Sequence, residues 1–219
     1  MLGLLFQIQA LWLAEILSVG TELLLGDILN TDAQFLSTEL AKMGISVVFQ
    51  TTVGDNPARL RKALEIAAER SDIIIPSGGL GPTPDDLTKE ICCEFFGKEC
   101  FLHEESLEKM KSYFSMKGTP MPESNIKQAM LPKDCTVFPN NNGTAPGCAM
   151  EKDGKHILLL PGPPRELVAM FNESAVPYLS QFSDKVIVSH QIRTFGIGES
   201  ALAELVSEFL DGENPTVAP

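Results

Sequence analysis

The run Asp72-Ile-Ile-Ile-Pro-Ser-Gly-Gly-Leu-Gly-Pro-Thr-Pro-Asp-Asp-Leu-Thr88 sets an apolar strand, a glycine loop and a helix start end to end. Residues 72–76 carry three consecutive isoleucines, the pattern of a strand buried on both faces of a parallel sheet. Gly78, Gly79 and Gly81 leave room for backbone N–H groups to approach a phosphate, yet Asp85 and Asp86 put negative charge where that phosphate would sit. Helix-start grammar accounts for the acids. Thr83 makes a good N-cap, Pro84 suits the first helical position, and Asp85 and Asp86 complement the dipole of a helix running from 84 to about 96. It does not account for the glycines, nor for Glu22, Asp27 and Asp55 recurring after the two preceding strands. A divalent cation reconciles the two features, because Mg²⁺ takes one or two carboxylates and completes its shell with water and substrate phosphate oxygens. The loop suits a metal–diphosphate better than a bare anion.

Outward from this run, short apolar stretches alternate with helical periodicity. Strands are expected at residues 15–19 and 45–53, and helices at 32–43 and 57–70, the latter opened by Asn56 and Pro57. Downstream, 104–116 reads as a helix and 118–142 as irregular or hairpin structure. Residues 148–150 and 156–160 read as strands joined at Lys-Asp-Gly, and a helix starts at 165 and runs to about 179. Strand–helix alternation with apolar strands implies an α/β fold, a mostly parallel sheet covered by helices on both faces. From about residue 183 the pattern changes to a half-exposed strand at 185–194 and an amphipathic stretch at 198–210. The expected organisation is an extension at 1–13 with no assigned function, a main domain at 14–182, and the beginning of a truncated small α+β domain at 183–219.

Net charge is −12 with no basic block, which argues against nucleic acid and anionic membranes as partners. The apolar start MLGLLFQIQALWL lacks a basic lead and a small-residue cleavage site, and is too short to span a bilayer. The five cysteines (Cys92, Cys93, Cys100, Cys135, Cys148) show no CxxC spacing and read as free thiols in a reducing cytoplasm. No Gx4GK[ST] loop and no GxGxxG follow a strand, and His103, His156 and His190 fall on unrelated elements, so each histidine reads as structural or surface.

Five ordered motifs now carry a family resemblance: VGTELLLGDILNT (19–31), VGDN (53–56), SGGLGPTPDDLT (77–88), NGTAPG (142–147) and LPGPPREL (160–167). Together they resemble the CinA family of competence/damage-inducible proteins, whose N-terminal domain is similar to the MogA/MoaB molybdopterin-binding fold, a three-layer α/β sandwich. The resemblance runs from about Ala14 to Pro219, and the last stretch looks like the opening of that family's small middle domain. It implies a divalent-metal-dependent ADP-ribose pyrophosphatase giving AMP and ribose 5-phosphate, with Mg, Mn or Co as the metal and a hint of potassium. A C-terminal deamidase domain, frequent in bacterial members, has no counterpart in these residues.

By motif position, Asp86 and Asp55 are the expected catalytic, metal-linked acids, with Glu22 and Asp85 as further metal candidates. Gly78, Gly79, Leu80, Gly81 and Thr83 form the expected phosphate cradle, with Asn30 and Thr31 as substrate contacts. Arg165 is expected either to offset charge on the leaving phosphate or to lie at the surface. Two positions depart from the family pattern: Asp32 where asparagine is usual, and Ser77 where threonine is usual. The expected partners are a small nucleotide diphosphate and a second copy of the chain in a homo-oligomer, a dimer favoured. Two competing readings use the same cleft, a pterin-binding or nucleotidyl-transfer protein and a non-catalytic partner protein.

Overall fold

The computed structural model describes residues 12–182 and 192–210. The chain divides into two units, Met1–Ile187 and Val188–Pro219. In the first, a six-stranded sheet is ordered β2-β1-β3-β8-β7-β6. Its strands are β1 (Leu13–Val19), β2 (Ser46–Val53), β3 (Ile73–Ser77), β6 (Thr136–Phe138), β7 (Gly147–Lys152) and β8 (Lys155–Leu159). β1, β2, β3 and β8 run parallel, while β7 is antiparallel to both β8 and β6. Asp153, in the left-handed region at φ 53°, and Gly154 make the tight turn between β7 and β8. A separate antiparallel pair joins β4 (Cys100–Leu102) to β5 (Met130–Pro132).

Strand periodicity distributes the core to both faces of the sheet. Leu17 and Ile74 point toward α3 (Pro57–Arg70) and α4 (Thr88–Phe95), packing with Leu60, Leu64, Ile91 and Cys92. Ile16, Ile73 and Ile75 point the other way, toward α2 (Thr31–Lys42) and α6 (Pro164–Met170), where Leu36, Leu40, Leu167 and Phe171 close the layer. The three isoleucines of 73–75 are all fully buried, the expected signature of an inner strand. Glu15 is also fully buried. Arg70 donates to it through Nε (2.9 Å) and an η nitrogen (2.8 Å), and Thr51 through its hydroxyl at 2.6 Å, so the carboxylate is paired and hydrogen-bonded. All five cysteines are free; Cys92, Cys93 and Cys148 are buried.

The expected parallel α/β layering is therefore what the chain adopts, with differences at several boundaries. Trp12 and Leu13, placed in the extension by the sequence reading, belong to the sheet unit. Ser46 N–H donates to the Trp12 carbonyl at 2.9 Å, Leu13 begins β1, and Trp12 packs on Phe182. The helix expected from residue 84 begins only at Thr88. A short helix, α1 (Thr21–Leu25), interrupts what reads as a loop. The helix starting at Pro164 continues through a π-helical segment (Phe171–Ala175) into α7 (Val176–Leu179). The helix over 104–116 is found as α5 (Glu104–Met116), followed by a 3₁₀ segment (Glu123–Ala129).

In the second unit, Gly198 precedes α8 (Glu199–Leu205), and α9 (Ser207–Leu210) follows. The strand expected at 185–194 lies largely outside the described residues. Among the described residues no helix is long and apolar enough to cross a membrane.

Candidate functional site

The sheet order creates the site. β2 lies on one side of β1, and α3 then carries the chain back so that β3 pairs on the other side. The loops leaving β1 and β3 diverge at the carboxyl ends of the strands, the switch point where open α/β sheets bind ligands. A cleft of about 550 Å³ opens there.

Six carboxylates line it: Glu22, Asp32, Asp55, Asp85, Asp86 and Glu166. Among the described residues no lysine or arginine does. Gly78, Gly79, Leu80, Gly81, Asn30 and Thr31 line the same cleft, so most residues marked by the motifs come together. Arg165 does not. It is exposed, and its carbonyl accepts from Asn142 Nδ2 at 3.4 Å, while the next residue, Glu166, faces the cleft. At the start of a helix, one residue's step turns the side chain by roughly 100°, which puts Arg165 and Glu166 on different sides.

Asp55 and Asp86 are each fixed by local hydrogen bonds. The Thr21 N–H (2.9 Å) and hydroxyl (2.7 Å) both donate to Asp55 Oδ2, and Asp55 N–H returns a bond to Thr21 Oγ1 at 3.2 Å. The Thr83 N–H donates to Asp86 Oδ2 at 2.9 Å, and the Thr83 hydroxyl donates to the same oxygen. This reverses the capping expected from the sequence: Asp86 sits in a turn and caps Thr83, and neither belongs to a helix. A distant side chain explains why the helix does not start here. Lys127 Nζ, from the 3₁₀ segment, donates to the Thr83 carbonyl at 3.1 Å and also to the Asp86 carbonyl. Asp85 is held below the usual carboxylate range chiefly by Thr83 and its own backbone amide.

Asn30 lines the cleft, but its side chain is engaged at both ends, donating to Ser18 Oγ (2.9 Å) and accepting from Ala33 N–H (3.1 Å) as the N-cap of α2. Its first role is to hold α2 against β1. Thr83 contributes through Asp86 without lining the cleft.

Three residues that the motifs do not mark support the glycine loop. Gln128 Nε2 donates to the Leu80 carbonyl at 3.2 Å, and Asn125 orients that amide through Gln128 Oε1 at 2.8 Å. Lys89, buried directly below, donates to the carbonyls of Lys127 (2.7 Å) and Gln128 (3.1 Å), and burial lowers its pKa. By sequence Asn125 and Gln128 fall in a stretch read as irregular and Lys89 in an expected helix, and none of the three carries a site signal.

Asp32 is half-buried in the cleft, and desolvation raises its pKa to about 6, partly opposed by the Ser77 hydroxyl. A folded-state pKa above the unfolded value means that the folded protein holds the proton more tightly. Stability from this group is thus full below about 3.8 and is lost as pH rises toward about 6. Asp32→Asn is expected to raise the melting temperature at pH 7, with the gap to wild type opening between pH 4 and pH 6 and level above. Melting curves in chelator across that range check it; a gap that ignores pH would remove the charge as its cause.

Asp55 and Asp86 each commit only Oδ2 to the bonds above, so among the described residues Oδ1 of each is free for a hard cation. No group of three or more acids, histidines or cysteines among the described residues is arranged to hold one ion. The four expected ligands Asp86, Asp55, Glu22 and Asp85 therefore line one cleft without forming a closed cage. One or two carboxylates plus substrate oxygens is the arrangement that suits Mg²⁺.

Residues 15–181 match the family described as "Probable molybdopterin binding domain", and residues 189–219 match "Damage-inducible protein CinA KH domain". The crystal structure of CinA from Thermoplasma acidophilum is 32% identical, with a TM-score of 0.70 over 78% of this chain and 98% of that one. The chain belongs to the CinA family. A CinA-like protein of Dictyoglomus turgidum is 58% identical over 206 residues, 94% of this chain and 50% of that protein. The chain thus spans about half the length of the curated CinA relatives it matches. MoaB from Thermus thermophilus, at 23% identity and a TM-score of 0.51 over 81% of this chain and 100% of that one, shares the fold. The CinA match confirms the expected resemblance, and the MoaB match the expected MogA/MoaB-like sandwich.

Proposed function

We propose that this domain hydrolyses the diphosphate of ADP-ribose to AMP and ribose 5-phosphate with a divalent cation, Mg, Mn or Co. The observation that carries the reading is the pairing of a glycine loop with six carboxylates and, among the described residues, no basic side chain in one cleft. A bare diphosphate would be repelled there, whereas a metal–diphosphate brings its own positive charge. When bound, the cation supplies Lewis-acid polarisation of the phosphoryl oxygens.

The chain's own residues do the rest. Oδ1 of Asp55 and Asp86 would hold the cation, with Glu22 and Asp85 adding negative potential. Backbone N–H groups of residues 79–81 would seat the phosphates, with Gln128 and Lys89 holding the loop; that of Gly78, expected in the cradle, is instead taken by the Leu160 carbonyl at 3.1 Å. Among the described residues no cysteine lines the cleft, and its serine, Ser77, is buried at the end of β3, so water is the proposed attacking group.

Turnover of ADP-ribose is expected to vanish in excess chelator and to return with added divalent metal, read by chromatography of AMP and ribose 5-phosphate. Undiminished turnover in chelator would overturn the metal assignment. A second reading, pterin binding in the same cleft, is favoured by the match to the molybdopterin-binding family. A melting-temperature rise with a pterin and none with ADP-ribose would select it.

A further inference from the structure

Beside the cleft lies a second cavity of about 570 Å³, between α5 and residues 137–146, that none of the sequence motifs predicts. We propose that this cavity binds the base and sugar of a nucleotide whose phosphates lie over the glycine loop. The position of the phosphates rests on the function proposed above; the assignment of the base does not.

The two cavities meet at Thr144, which lines both, and residues 140–146 form the wall between them. That wall is built to keep its shape. Asn140 Nδ2 donates to Glu166 Oε2 (2.7 Å) and to the Ala145 carbonyl (2.9 Å), its Oδ1 accepts from Asn142 N–H (3.0 Å), and Asn141 Nδ2 donates to Glu173 Oε2 (2.7 Å). A ligand bridging Thr144 would thus meet preformed surfaces on both sides, which limits the ordering cost of binding.

The chemistry of the two cavities differs in a way that divides a nucleotide between them. Aromatic rings, those of Tyr113 and His103, line the second cavity, and among the described residues none lines the first. Met110, Val137, Pro139 and Pro146 add an apolar floor. A planar heteroaromatic base buries its faces against such a surface and presents polar edges to the rim. At that rim, His103 Nδ1 is engaged with the Ser106 hydroxyl at 2.8 Å, which leaves Nε2 for a ligand. The charges there are already matched, Lys109 with Glu105 (2.8 Å) and Glu108 with Lys111 (2.6 Å), so the cavity suits the uncharged half of the ligand.

The test is calorimetric titration of the intact chain with AMP and, separately, with inorganic pyrophosphate, both with Mg²⁺. Ser112→Trp fills the cavity from the exposed face of α5, and Tyr113→Ala removes a stacking surface. Each is expected to weaken AMP at least tenfold and to leave pyrophosphate within twofold, with an unchanged circular-dichroism melt; should one variant not fold, the other reads the result. AMP affinity unmoved in the folded variants, pyrophosphate falling in step with AMP, or no AMP binding by wild type would each overturn the inference. Because binding is read without turnover, the two ideas fail separately. Wild type that does not hydrolyse ADP-ribose but binds AMP in a Ser112-sensitive way removes only the proposed reaction. Normal hydrolysis with AMP binding insensitive to both variants removes only the base site.

Discussion

Asp86→Asn should lower metal-dependent ADP-ribose turnover on the order of a hundredfold or more and move the melting temperature by only a few degrees. Asparagine keeps an oxygen in place to accept the Thr83 N–H and hydroxyl. The fold then loses only the charge assistance of those bonds, ~0.5–1.5 kcal/mol, or about 2–4 °C per kcal/mol for a domain of this size. The cation loses far more, because a neutral amide binds a hard ion weakly and leaves the charge developing on the phosphoryl group less compensated. A hundredfold corresponds to ~2.7 kcal/mol of transition-state stabilisation. Turnover and thermal melting of the same preparation give the answer. Normal turnover with a large fall in melting temperature would make Asp86 a loop-shaping residue and nothing more.

Gly78→Ala is expected to destabilise the fold by roughly 2–5 kcal/mol, combining ~1–2 kcal/mol for a left-handed non-glycine residue with ~1–3 kcal/mol for overpacking. Gly78 has φ 98°, and a Cβ there would land on the Val19 carbonyl oxygen, at the carboxyl end of β1. Neither β1 nor the nearby Gly162 backbone can withdraw without disturbing the strand ends. A melting temperature lower by about 5–15 °C follows, and a melt within 2 °C of wild type would show that the loop can move. Gly79, at φ 67° and against the Thr88 side chain, carries a similar cost. From sequence alone these glycines read as room for a phosphate; the structure shows that Gly78 and Gly79 first make room for the protein itself.

How far the site could be read beforehand depended on how local its causes are. β3 was legible because three consecutive isoleucines have only one comfortable environment, and α3 was legible from end to end because Asn56 and Pro57 open it. The convergence of residues 20–31, 55 and 77–86 on one cleft followed from strand alternation. The start of α4 was not legible: its grammar is overruled by Lys127, about 40 residues away, whose ammonium takes the carbonyls of Thr83 and Asp86. Gln128 and Lys89 carry no local signal for the same reason, since their partners are tertiary. Arg165 takes the surface position, one of its two expected places, and Glu166 faces the cleft, because the motif marks the helix start but not which side of its first turn points inward.

The strand order has a consequence for synthesis. β3 is an inner strand, but its outer neighbour β8 lies roughly 80 residues downstream. At about 5–20 residues per second, several seconds pass between the emergence of the isoleucine strand from the ribosome and the arrival of the segment that covers its free edge. Through that interval this apolar strand presents unpaired amides and carbonyls to any neighbouring chain. The window closes only when residues 155–159 dock, so a pause in translation between β3 and β8 prolongs the exposure of that edge.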